Sequence, residues 1–148
     1  MNQNTEILLS VRRMIKLYEL CLKDVCEAYH LTQIEVNIIS FLHNNPGKDT
    51  AGDISEIRML PKGNVSQGVE ALIQKSLLYR TPDKKDRRYI HLSLTLDASP
   101  LVKELEKARE RFLEQIFAGF SPEECRQYMI LNERIINNTI IGLERKQQ

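Results

Sequence analysis

From Lys62 to Gln67 the chain reads Lys, Gly, Asn, Val, Ser, Gln. Asn64 and Gln67 each carry a carboxamide, which donates and accepts side by side and so matches the edge of an adenine. Lys62 can reach a guanine or a phosphate, and Gly63 and Ser66 share the same turns. Gly63 and Gly68 permit close approach, although a mid-helix glycine costs about 1 kcal/mol relative to alanine. A second group follows at Arg80 and in the loop Thr81-Pro82-Asp83-Lys84-Lys85-Asp86-Arg87-Arg88. Lys84 and Lys85 suit a minor groove or a phosphate. Arg80 and Arg87 suit backbone phosphates, contacts that fix register without reading sequence. Carboxylates would be out of place on such a surface unless they orient the cations. The spacing therefore predicts Asp86 with Arg88, or Asp83 with Lys85, as pairs that stiffen the loop. The plain alternative for both groups is a solvated polar face.

These residues need elements to hold them. Thr50 and Asp53 can cap a short helix with Ile54 and Ile57 on its apolar side, and Met59-Leu60-Pro61 breaks it. A second helix buries Val65, Val69, Leu72 and Ile73, which leaves the row from Lys62 to Gln67 at its N-terminal end. Leu77 to Arg80 and Tyr89 to Thr95 read as two strands joined by the basic loop. Two helices around a tight turn, followed by a basic hairpin, place one helix in a DNA groove.

The flanks are helical. A first helix spans about Thr5 to Tyr29, with a heptad seam of Ile7, Val11, Met14, Tyr18, Cys21, Val25 and Ala28. Leu8, Ile15, Leu22 and Tyr29 form a second row beside it, so the stripe is wider than one packing partner needs. Thr32 and Glu35 form a capping box before a helix that buries Ile34, Ile38, Ile39, Phe41 and Leu42 and stops at Asn44-Asn45-Pro46-Gly47. After the hairpin, a helix beginning at Asp97 or Ser99 buries Leu101, Leu105, Ala108, Phe112, Ile116 and Phe117 and ends at Gly119. Ser121 and Glu124 cap a last helix carrying Tyr128, Met129, Leu131, Ile135, Ile136, Ile140, Ile141 and Leu143. That is too much apolar surface for a terminal helix exposed to water. The expected fold is mostly α with a small β-hairpin wing: a winged helix-turn-helix with long N- and C-terminal dimerisation helices. As a domain map, residues 1–148 form a single domain, with 1–30 and 97–148 as dimerisation helices and 31–96 as the DNA-binding module.

The 148 residues fit one such domain, and the net charge is only +1. Charge is unevenly placed, however: from Arg58 to Arg88 there are eight basic and three acidic residues, a local +5. Phosphate binding follows the face presented, not the total. Three cysteines (Cys21, Cys26, Cys125) without metal-finger spacing, no apolar leader and no bilayer-length apolar run predict a soluble, cytoplasmic protein. No Gly-rich phosphate loop, nucleophile–base arrangement or apolar carboxylate pair is present. No enzymatic role, catalytic residue, cofactor or metal site is therefore assigned. Cys26 and His30 are one turn apart, a two-ligand pair too sparse to define a metal site.

Leu31-Thr32-Gln33 opening a helix, Val65-Ser66, Asp83-x-x-Asp86-Arg87-Arg88 and Leu94-Thr95 together resemble the MarR family of bacterial transcriptional regulators. The resemblance covers nearly the whole chain. It implies a homodimer that binds double-stranded DNA at a pseudo-palindromic operator, often as a repressor released by a small ligand or by oxidation. Two positions depart from the family pattern. Lys85 stands where an arginine usually enters the minor groove, and Leu96-Asp97-Ala98 replaces an acidic-Gly pair. The first keeps a cation but loses arginine's flat, weakly hydrated head. The resemblance also implies a ligand pocket, which Met14, Tyr18, Tyr29 and His43 could line for a small aromatic acid; core packing explains the same residues. The family's reactive cysteines lie nearer the N-terminus, so no sensor role carries over to Cys21 or Cys26. Two alternatives stay open: a winged helix that docks proteins without sequence-specific DNA binding, and a thiol- or metal-sensing regulator.

Overall fold

The computed structural model describes residues 2–146, and the side chain of residue 4 is outside the description. The elements in chain order are α1 (Gln3–Tyr29), α2 (Gln33–Asn44), α3 (Ala51–Arg58), α4 (Lys62–Gln74), β1 (Leu78–Pro82), β2 (Ile90–Leu94), α5 (Ser99–Ile116) and α6 (Pro122–Lys146). A single tight turn, Leu96–Ala98, precedes α5. The chain divides into two compact units after Phe112.

In the first unit, α2, α3 and α4 pack together and the hairpin lies against them. Val36, Ile38, Ile39 and Phe41 of α2, Ile54 of α3 and Val65, Val69 and Leu72 of α4 meet in one buried cluster. Leu78 and Leu92 of the hairpin, Leu22 and Val25 of α1, and Leu101, Leu105 and Ala108 of α5 complete it. The helix starts follow from local chemistry. Thr32 accepts from the Glu35 N–H while Glu35 reaches back to the Thr32 N–H, and Thr50 and Asp53 do the same for α3. The break after α3 is a left-handed Met59, φ 55°, braced by a 2.6 Å bond from the Ser55 hydroxyl to the Leu60 carbonyl.

One expectation about α3 needs correction. Ile57 does not share the buried face of α3 but is half exposed, because eight residues bury only Ile54. In α1, Leu22 and Val25 are buried, while Ile7 and Val11 of the seam and Leu8 and Ile15 of the row beside it are exposed in the single copy.

The hairpin pairs antiparallel with Leu78 opposite Leu94 and Pro82 opposite Ile90, so β1 runs two residues further than the apolar run suggested. The Leu92 N–H donates to the Asp49 carbonyl at 2.8 Å, which ties β2 to the loop before α3. At the far end of α4, the Lys75 ammonium bonds the His30 carbonyl and the Glu35 carboxylate, both at 2.7 Å.

The second unit holds the end of α5, a turn through Gly119 (φ 84°) and α6. Ser121 and Glu124 close the expected capping box. Phe117 meets Phe120 and Tyr128 edge to face. No residue of α6 is buried. No helix among the described residues is long and apolar enough to cross a membrane.

Candidate nucleic-acid interface

Helix α4 divides its residues cleanly. Val65, Gly68, Val69 and Leu72 are buried, whereas Lys62, Gly63, Asn64, Ser66 and Gln67 are exposed. Among the described residues, no side-chain hydrogen bond or ion pair engages Lys62, Asn64, Ser66 or Gln67. Pro61 is the N-cap and supplies no side-chain bond, so the first N–H groups of α4 have no side-chain partner. An uncapped, cation-bearing helix end next to free carboxamides can hold a phosphate and read a base edge together. A Cβ at Gly63 would meet nothing within 4 Å, whereas at Gly68 it would lie 2.6 Å from Cδ1 of Ile38. The close approach at Gly68 is therefore to α2.

The wing is built around its carboxylates. One oxygen of Asp83 accepts the N–H groups of Lys85 (3.0 Å) and Asp86 (2.9 Å), and the Asp83 N–H donates to the Tyr89 carbonyl. Asp86 accepts the Arg88 N–H and pairs with its guanidinium through both oxygens. The Arg88 guanidinium and its N–H hold the Asp86 carboxyl below its ordinary range, and the arginine is pushed up in turn. The expected Asp86–Arg88 pair is thus formed. Asp83 engages the backbone of Lys85, not its ammonium, because a two-residue step brings the N–H nearer than the side-chain end. Lys84, Lys85 and Arg87 are exposed and carry no ion pair among the described residues. Arg80 is exposed but bound to Glu70 of α4 at 2.7 Å, which lowers the Glu70 pKa. Its charge is shared with a carboxylate, so it ties the hairpin to α4 as well as facing solvent.

The arrangement is an exposed helix end and a cationic loop held on one small core. Residues 30–88, which contain both, match the model of the MarR family. This winged helix module belongs to the MarR family. The same fold extends over most of the chain. A MarR transcriptional regulator from Methanosarcina mazei Go1 superposes with a TM-score of 0.81 at 18% identity, over 92% of this chain and 97% of that one. A MarR-family regulator from Silicibacter pomeroyi gives 0.75 at 17% identity, over 86% of each. BpsR of Bordetella bronchiseptica, whose DNA binding is regulated by 6-hydroxynicotinic acid, gives 0.69 at 22% identity, over 88% and 98%. At these identities the likeness is one of fold.

Away from the MarR-family module's helix end and wing, Tyr18 and His43 line a cavity of about 20 Å³ with Ser40, Glu106 and Arg109. Met14 and Tyr29 do not line it. The cavity has room for a single water. His43 closes it with a 2.7 Å bond to Glu106. Burial, with the Glu35 and Glu27 carboxylates, pushes the Cys26 thiol up, the opposite of what a thiolate sensor needs. No group of three His, Cys, Asp or Glu among the described residues is placed to hold a metal ion.

Sequence reasoning missed three contacts that shape this surface: Arg80 with Glu70, Lys75 with Glu35, and His91 with Asp49 and Asp83. Most of these partners stand ten to about forty residues apart, so no local spacing announces them.

Proposed function

We propose that the protein is a homodimeric, cytoplasmic transcriptional regulator that binds a pseudo-palindromic operator in double-stranded DNA. It acts as a repressor released by a small ligand. The observation that carries this reading is the row of exposed, unengaged groups at the uncapped start of α4 (Lys62, Gly63, Asn64, Ser66, Gln67), set on the same core as the cations of the wing. Two copies would set two such helices about 34 Å apart, one turn of duplex, with the wings on adjacent minor grooves or backbone. Asn64 and Gln67 read bases; Lys84, Lys85 and Arg87 hold phosphates, and Arg80 and Arg88 add to the field while bracing the wing. An aromatic acid would enter beside Tyr18 and Arg109 by opening the His43–Glu106 bond, and would change the spacing of the two modules.

Fluorescence anisotropy against the gene's own upstream duplex and a scrambled duplex, over a salt series, tests this. Salt-sensitive binding with preference for the native duplex is expected. Asn64→Ala and Gln67→Ala should relax that preference by about 1–3 kcal/mol each, while Lys85→Ala weakens all duplexes evenly. Equal effects of all three on every duplex would sink the base-reading assignment. No binding at low salt would turn the reading toward a protein-docking winged helix.

A further inference from the structure

His91 lies on β2 opposite Thr81, and both of its ring nitrogens face carboxylates. Nδ1 is 2.7 Å from Asp49 Oδ1, and Nε2 is 2.8 Å from Asp83 Oδ1. An ionised carboxylate only accepts, and a neutral imidazole has one N–H to give. The neutral ring can satisfy one partner and must turn a lone pair toward the other. Only the imidazolium donates to both.

The two partners differ in what they hold. Asp49 sits in the loop before α3, pinned to β2 through its own carbonyl and the Leu92 N–H. Asp83 uses its second oxygen to receive the N–H groups of Lys85 and Asp86, and so sets the shape of the wing tip. His91 therefore joins a fixed point on the core to the carboxylate that folds the tip.

We infer that His91 is a positioning residue for the wing: its protonated ring clamps the tip to the loop before α3, and losing that proton loosens the tip and weakens its grip on DNA. This rests on the DNA-binding reading for its effect, but the clamp itself is a property of the free protein.

Other charges near β2 are engaged elsewhere. On α2, Glu35 pairs with Lys75 and His43 with Glu106; on α3, Asp53 caps its own helix and Arg58 bonds Asn37. On β1, Arg80 is held by Glu70, and in the wing Asp86 is held by Arg88. Asp49 and Asp83 are left as the groups acting on the ring. The bond to Asp49, then that to Asp83, raises the pKa of His91, and the His91 bond, with those from the Asp86 and Lys85 N–H groups, lowers that of Asp83. For a raised histidine the contribution is complete below its unfolded pKa of about 6.5 and is lost as pH rises through the raised folded value. The clamp is closed on the acid side and opens as pH rises through that raised value.

The test has two arms on the full-length protein. Nitrogen-detected NMR of the free protein, from about pH 6 to about pH 9, follows the His91 ring and the Lys85 and Asp86 amides. The expected result is a doubly protonated ring at the acid end, a titration above the ordinary histidine range, and tip amides that shift with the same midpoint. In parallel, anisotropy with a mixed-sequence duplex at low salt should show affinity falling about tenfold over that range, the scale of one lost charge-assisted bond. His91→Gln, which cannot titrate, should flatten the profile. Asp49→Asn removes one carboxylate, leaves the carbonyl bonded to Leu92, and should lower the His91 pKa. A ring that titrates in the ordinary range, tip amides that ignore it, or a wild-type profile in His91→Gln would overturn the inference. Absence of DNA binding at every pH would strike the regulator reading, and the clamp then stands or falls on the amide titration.

Discussion

A methyl group added at Gly68 would lie 2.6 Å from Cδ1 of Ile38, a side chain with no exposed surface. The gain in helix propensity from Gly to Ala is about 1 kcal/mol, and overpacking a core costs about 1–3 kcal/mol. Gly68→Ala should therefore lose about 1 kcal/mol or slightly more in urea unfolding. Ile38→Val removes the offending carbon, so in that background the loss should vanish. Additive costs would mean that the helices give way elsewhere. Gly63 offers the reverse case, since nothing lies within 4 Å of the point a methyl there would occupy. Gly63→Ala should hold or raise stability by up to about 1 kcal/mol while weakening DNA binding, because the methyl takes up space a duplex would approach. Unchanged affinity in anisotropy would remove Gly63 from the interface. In the sequence these two glycines look alike. What separates them is the course of α2, some thirty residues upstream, which no pattern inside α4 encodes.

Capping boxes span three residues, and all three here (Thr32–Glu35, Thr50–Asp53, Ser121–Glu124) were legible for that reason. The left-handed residues closing α1, α3 and α4 were not. They are His30, Met59 and Ser76, where a reader expects glycine. The wing was legible in composition and in its Asp86–Arg88 pair, but not in its anchorage to Asp49, because that bond crosses 42 residues. Glu35 shows both sides of this limit: its cap was readable, its cation was not. Burial raises the Glu35 pKa, but the Lys75 and Thr32 bonds outweigh it and leave the carboxyl below its ordinary value. A depressed carboxylate contributes stability above its unfolded pKa and loses it as pH falls through the folded value. Lys75→Met should thus cost about 1–3 kcal/mol near neutrality, below the full penalty of a buried pair because the lysine is partly exposed. The cost should shrink below the carboxylate range. An equal cost at neutral and acid pH would assign the effect to the lysine's bond with the His30 carbonyl.

At the scale of the whole molecule, the first unit carries α4 and the wing, while α6 leaves Ile130, Ile135 and Ile140 about half exposed or more. Apolar surface of that extent along a 25-residue helix needs a cover, and the C2 pairing of two copies is the commonest way to provide one. The amphipathic pattern of α6 was readable from the sequence; which surface covers it is a matter of assembly, beyond the reach of one chain's periodicity. Sedimentation should give twice 17.2 kDa for the intact chain. Truncation after Ser121 should abolish the pair, and Ile136→Lys should do so without shortening the chain. That side chain is 47% exposed in the single copy, so the lysine costs a monomer little and a packed helix face much. The consequence for DNA follows from counting phosphates. The slope of log affinity against log salt scales with the phosphates neutralised, and a monomer contacts one half-site. The Ile136→Lys protein should therefore bind with roughly half the wild-type slope. A monomer that keeps the full slope would mean that one copy covers the whole site, and the two-fold arrangement would have to be abandoned.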